Sequence, residues 1–107
     1  RVWLMEALIN LVKNAIEVSP EKSVITIVLE HNAIYQSITV VDEGPGLKPE
    51  QAARVFERFY KSDPRSMGFG IGLSMVRSIV EQHGGEVSLK SSDKGCAFEI
   101  RLYPEIS

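Results

Sequence analysis

Asn10 and Asn14 lie four positions apart in the segment EALINLVKNAIEVSP. Residues at this spacing share one face of an α-helix, so both amide oxygens can point into the same cleft. Such oxygens are hard, neutral ligands that suit Mg²⁺, an ion that completes its shell with waters and substrate phosphates. The alternative interpretation is a pair of solvated asparagines, although asparagine is a poor helix former.

Three glycines, Gly68, Gly70 and Gly72, occupy every second position of MGFGIGLSMV, just before an apolar segment. Glycines before a helix start let backbone N–H groups approach a ligand, and the helix dipole favours an anion there. A Rossmann fingerprint requires its third glycine where Leu73 stands, and the Walker phosphate loop requires a Gly-Lys-Ser/Thr that is absent. A phosphate site of another kind and a surface hinge both remain open.

Asp42 ends a β-branched run and begins the loop DEGPGL. A carboxylate at this place can accept a hydrogen bond from an exocyclic amine, and Gly44 and Gly46 leave room for a flat ring. The alternative is an aspartate that only forms the turn, which is frequent at strand ends.

The composition limits the protein classes that fit. The 107 residues suffice for one domain, and the net charge of -2 gives no reason to expect nucleic acid or an anionic membrane as partner. The single cysteine, Cys96, cannot form an internal disulfide, which agrees with a reducing compartment. Because Arg1 is not an initiator methionine and the sequence starts inside a helical pattern, we expect residues 1–107 to be one domain of a longer chain.

The apolar periodicity predicts the elements that position these residues. It indicates an amphipathic helix before Ser19-Pro20, two strands joined by HNA, a short helix beginning at Pro49, a second amphipathic helix from Gly72 to Gly84, and two strands around SDKG. This order predicts an α+β fold, a two-layer sandwich with helices packed on one face of a mixed β-sheet.

Five segments in order carry a resemblance: EALINLVKNAIEVSP, DEGPG, FERFYK, GFGIGL and GCAF. They resemble the N, G1, F, G2 and last glycine boxes of the catalytic ATP-binding domain of bacterial sensor histidine kinases. That domain has the Bergerat fold, which is shared with gyrase, the chaperone Hsp90 and the mismatch-repair ATPase MutL. The resemblance covers nearly the whole chain.

The resemblance implies a role for each matching residue. Asn14 resembles the Mg²⁺ ligand and Asn10 its neighbour near the phosphates of ATP. Asp42 resembles the aspartate that binds the adenine amino group, and Gly44 and Gly46 the pocket floor. Guanine would be disfavoured, because it offers a carbonyl oxygen where adenine offers a donor.

The resemblance further implies a lid that closes over the nucleotide. Its glycines would contact the phosphates, while an aromatic and several basic side chains would surround them. The residues that match are Gly68, Gly70, Gly72 and Leu73 in the lid, Tyr60 and Lys61 after the F box, and Lys13, Arg58 and Arg65 as phosphate-binding candidates. For Arg58 and Arg65, solvated surface positions remain the alternative, and Phe56 is expected to pack beneath the lid.

Three departures from the family pattern bear on the site. Glu17 stands where the family commonly has a lysine, so charge neutralisation would fall to Lys13, Lys61 or an arginine. Cys96 replaces a frequent threonine, and a thiol is a weak hydrogen-bond partner. The lid, residues 60–67, is short for the family.

The identity of residue 10 distinguishes ATP hydrolysis from phosphate transfer to a protein. Gyrase-like ATPases have a glutamate here that activates water, and an asparagine cannot take a proton. The resemblance therefore implies Mg-ATP binding and transfer of the γ-phosphate to a histidine of a helical dimerisation domain outside these residues, followed by a response regulator. We expect a cytoplasmic domain without membrane contact, whether or not the full-length protein is anchored. An ATP hydrolase and a degenerate nucleotide-binding or docking module are the alternatives.

Overall fold

The computed structural model describes residues 2–57 and 72–104. Helix α1 (Val2–Val18) is followed by strands β1 (Thr26–His31) and β2 (Gln36–Val41). Two helices come next, α2 (Pro49–Ala52) and α3 (Gly72–Gln82), and then strands β3 (Glu86–Ser92) and β4 (Gly95–Leu102). This is the element order that the apolar periodicity predicts.

The four strands form one sheet in the order β1-β2-β4-β3. Each pair of neighbours is antiparallel, so the described part of the sheet lacks the parallel pairing that a mixed sheet would contain. The hairpin between β1 and β2 turns at Asn32, whose Oδ1 accepts hydrogen bonds from the N–H groups of Ile34 and Tyr35. Because β2 and β4 lie at the centre, the end of β2 meets the beginning of β4.

The core lies between one face of the sheet and helices α1 and α3. Alanines at two of the buried positions of α1 let the helix approach closely, whereas larger side chains from α3 and the sheet fill the remaining space. The fully buried residues include Ala7, Leu11, Ala15, Val40, Val76, Val80 and Ile100. Phe56 packs edge-on against Phe98, with ring centroids 5.9 Å apart, whereas the lid beneath which it is expected to pack lies outside the described residues.

Helix α3 ends with the glycine C-cap that the sequence predicts. Gly84 has φ +77°, a left-handed conformation that suits a residue just past a helix, and the N–H of Gly85 donates to the carbonyl of Val80 at 3.0 Å. The ring of His83 stacks on Trp3 at 4.0 Å, and its Nδ1 lies 2.9 Å from the carbonyl oxygen of Ile79. His83 therefore joins the end of α3 to the start of α1.

One side of α1 remains uncovered in the described structure. Val2, Met5, Ile9 and Ile16 all lie on this side, and each is at least 48% exposed. Strand β1 is exposed along its whole length. Within residues 2–57 and 72–104, no helix combines the length and apolar character needed to cross a membrane.

Candidate functional site

Asp42 lies immediately after β2 and is only 3% exposed. Its Oδ1 accepts hydrogen bonds from the N–H of Gly44 at 2.9 Å and the N–H of Cys96 at 3.1 Å. Its own N–H donates to the carbonyl of Cys96 at 2.9 Å. Since three bonds hold the residue, the orientation of its carboxylate is fixed before any ligand arrives.

The second carboxylate oxygen of Asp42 is the unusual atom of the site. Oδ2 is buried, and no hydrogen-bond partner reaches it from the described residues. A buried acceptor without a donor is costly, because it has lost its water without replacement. The geometry therefore fits a bound molecule that supplies one N–H or O–H donor to Oδ2.

Glycines keep the surroundings of Asp42 close-packed. A Cβ at Gly95, where φ is +135°, would collide with the carbonyl oxygen of Asp42. A Cβ at Gly46, where φ is +77°, would collide with the carbonyl oxygen of Ser92. At Gly44 the nearest atom to such a Cβ would be the carbonyl oxygen of Val18, at 2.7 Å. The loop after Asp42 consequently lies directly against both α1 and β3.

Cys96 forms part of the same buried cluster. Burial raises the pKa of its thiol, a nearby Ser91 hydroxyl at 3.5 Å from Sγ opposes that rise, and the charge of Asp42 adds to it. The thiol is therefore protonated near neutral pH and is a poor nucleophile.

The side chain of Asn10 lies where α1 approaches the start of α3. Its Nδ2 donates to the carbonyl of Glu6 at 2.9 Å, so that Oδ1 points toward α3. A Cβ built on Gly72 would lie 3.5 Å from this Oδ1. Asn14 is half-buried one turn further along α1. Asn10 thus borders the N-terminus of α3, and a helix N-terminus favours an anion.

The remaining candidate residues lie partly inside and partly outside the described structure. Lys13 is exposed on α1, and Leu73 is half-buried against the core. The side chains of Glu6 and Glu17 are exposed, as expected for Glu6. Six predicted site residues fall outside the described residues: Arg58, Tyr60, Lys61, Arg65, Gly68 and Gly70.

The described residues contain no cluster of three or more His, Cys, Asp or Glu side chains able to hold a metal ion. A cavity of about 250 Å³ borders Asp42 and Cys96, but its wall also includes Val41, Lys90 and Ala97. These three alternate with side chains that face the helices, so the cavity opens on the helix-free side and differs from the space beside Asn10.

Sequence reasoning missed Ser91. Its hydroxyl accepts a hydrogen bond from the N–H of Leu47 at 2.6 Å, although 44 positions separate the two residues. A serine on a half-buried strand carries no signal of such a partner, because the contact exists only once β3 and the loop 44–47 have come together.

The chain matches the family model described as histidine kinase-, DNA gyrase B-, and HSP90-like ATPase over residues 1–106. It is 35% identical over 103 residues to the probable sensor protein PcoS of Escherichia coli, which covers 92% of this chain and 22% of PcoS. It is 39% identical over 107 residues to the sensor histidine kinase CusS of Escherichia coli K12, covering 94% and 22% respectively. The chain therefore spans about a fifth of the length of these relatives.

Solved structures show the same architecture. The mycobacterial sensor histidine kinase MprB superposes with a TM-score of 0.84 at 30% identity, over 95% of this chain and 70% of that one. The catalytic domain of histidine kinase ThkA gives a TM-score of 0.84 at 31% identity, over 95% and 66%. The two-layer arrangement of helices on one face of a sheet is confirmed.

The environment of Cys96 predicts slow thiol chemistry. A disulfide reagent that releases a coloured thiol should label the folded chain at pH 8 at least about tenfold more slowly than the urea-unfolded chain, because both burial and a raised pKa lower the reactive thiolate fraction. The absorbance change measures this directly, and Cys96→Ser serves as the unlabelled control. Equal rates in the two states would contradict the buried position.

Proposed function

Because this chain belongs to the histidine kinase-, DNA gyrase B-, and HSP90-like ATPases, we propose that it is the ATP-binding catalytic domain of a sensor histidine kinase. It binds Mg-ATP and passes the γ-phosphate to a histidine on a separate helical phosphoacceptor domain of the same protein. A response regulator would receive the phosphate next. The domain works in the cytoplasm, without itself contacting a membrane.

The observation that carries the proposal is the free acceptor of Asp42. In adenine the exocyclic amino group is a donor at the place where guanine has a carbonyl oxygen. Oδ2 is buried and unpaired within the described structure, so adenine would satisfy it and guanine would place two acceptors face to face. The loop of Gly44 and Gly46 forms the floor of this pocket.

The phosphates would lie between α1 and α3. Asn14 and Asn10 would present amide oxygens to Mg²⁺ and its waters, and Gly72 would offer backbone N–H groups at the start of α3. Bound Mg²⁺ would neutralise charge developing on the transferred phosphoryl group. Lys13 and the residues of the matching lid, Arg58, Tyr60, Lys61, Gly68 and Gly70, are proposed to complete the phosphate contacts. Leu73 would support this region from the core side.

Asn10 favours transfer to a protein histidine over hydrolysis. Its amide cannot accept a proton from water, and its Nδ2 is already bonded to the carbonyl of Glu6. The Glu6 carboxylate itself lies on an exposed position of α1. A site with these properties holds and orients the γ-phosphate and leaves the nucleophile to another domain.

The substitution Asp42→Asn tests the adenine contact. Oδ1 must still accept from two backbone N–H groups, so the new NH₂ group would take the place of Oδ2 and oppose the adenine amine with another donor. Titration calorimetry should show ATP-analogue affinity falling by about 10- to 100-fold, the value of a hydrogen bond to a charged group. Asp93→Asn, at an exposed turn position, is the matched control. Retention of the unmodified preference for ATP over GTP would refute the assignment.

The substitution Asn14→Ala tests the metal role. In the unmodified chain, Mg²⁺ should strengthen binding of a non-hydrolysable ATP analogue, and this gain should disappear in Asn14→Ala while the melting temperature changes little. Asn32→Ala, in the β1–β2 turn, controls for a general loss of an asparagine. An unchanged Mg²⁺-dependent gain would exclude Asn14 as a ligand.

The reaction itself is tested in the full-length protein. With Mg-ATP labelled at the γ-phosphate, the protein should acquire an acid-labile, base-stable phosphate, as a phosphohistidine requires. Sustained release of inorganic phosphate without protein labelling would favour the hydrolase alternative. Failure to bind any nucleotide would favour a degenerate docking module. Glu17 and Cys96, which depart from the family pattern, are the reason for considering this alternative.

A further inference from the structure

Ser91 makes three contacts from one hydroxyl group. Its Oγ accepts from the N–H of Leu47 at 2.6 Å and lies 3.2 Å from the carbonyl oxygen of Leu47, to which it can donate. The same Oγ is 3.5 Å from Sγ of Cys96. A side chain on β3 thus satisfies both backbone groups of a loop residue, in the manner of a neighbouring strand.

A hydroxyl has a single hydrogen, which determines how these contacts combine. If that hydrogen goes to the carbonyl of Leu47, the contact with Cys96 must use the thiol hydrogen, with Ser91 as acceptor. The thiol hydrogen is then directed to Ser91. The hydroxyl of Ser91 therefore links the loop residue Leu47 to the Cys96 thiol.

The loop 44–47 is fixed at both ends by the same region of the sheet. At its beginning, the N–H of Gly44 donates to Asp42 at 2.9 Å. At its end, Leu47 is held by Ser91, and between them Gly46 packs against the backbone of Ser92. The distance of the loop from β3 is set by these contacts. The loop also contains Gly44, whose N–H bonds to Asp42, so the position of the loop and the orientation of that carboxylate are linked.

We propose that Ser91 is a positioning residue of the adenine pocket. Its hydroxyl holds the loop 44–47 against β3, which preserves the floor of the pocket, and engages the Cys96 thiol. The proposal rests on the proposed function, because it assigns Ser91 to the same nucleotide site.

Ser91→Ala should weaken binding of ADP and of a non-hydrolysable ATP analogue by the same factor, about tenfold, because two hydrogen bonds to the loop are lost. An equal factor for both nucleotides would assign the effect to the part that they share and exclude the γ-phosphate. Ser91→Thr keeps the hydroxyl and should restore affinity. Ser88→Ala, at an exposed position of the same strand, is the matched control. Titration calorimetry measures all four chains.

Amide hydrogen exchange at Leu47 supplies a readout that needs no nucleotide. Exchange there should be faster in Ser91→Ala than in Ser88→Ala, and Ser91→Thr should return it to the unmodified rate. Ser91→Ala with the affinities and Leu47 exchange of the control would overturn the inference. If the unmodified chain bound neither nucleotide, the proposed function would fail together with the adenine role of Ser91, whereas Leu47 exchange would still decide whether the hydroxyl holds the loop.

Discussion

The hydrogen bonds between Asp42 and Cys96 are the contacts on which the candidate site depends. They join the end of β2 to the beginning of β4, and they use only one of the two carboxylate oxygens. Because the bonded oxygen is held by two backbone donors, the other stays buried without a partner in the described chain. The protein thus carries the cost of a desolvated acceptor, which a ligand donor can offset.

Close backbone packing makes this arrangement possible. A side chain at Gly95 would displace the carbonyl of Asp42, and one at Gly46 would push the following loop away from β3. The start of α3 differs, because a Cβ at Gly72 would lie 3.5 Å from Oδ1 of Asn10, an ordinary van der Waals contact. The steric requirement for glycine is therefore shown around Asp42, at Gly46 and Gly95.

Local patterns predicted the elements well. The periodicity of Leu11 and Ala15 identified the buried side of α1, and the turn segments HNA and SDKG between strand-forming runs identified both hairpins. Asp42 could also be selected, because a carboxylate at a strand end beside glycines is visible in the sequence. The free Oδ2 could not be predicted, since it follows from which backbone donors fold around Oδ1. The contact of Ser91 could not be predicted for the same reason. Its partner Leu47 is 44 positions distant, and only the tertiary fold brings them together.

The most direct measurement is calorimetric titration of the unmodified chain with a non-hydrolysable ATP analogue and with the matching GTP analogue, each with and without Mg²⁺. The account predicts that the adenine nucleotide binds, that Mg²⁺ strengthens its binding, and that the guanine nucleotide binds at least about tenfold more weakly, the factor expected from opposing one buried acceptor with another. Equal binding of the two nucleotides would contradict the central claim that the free oxygen of Asp42 selects the base.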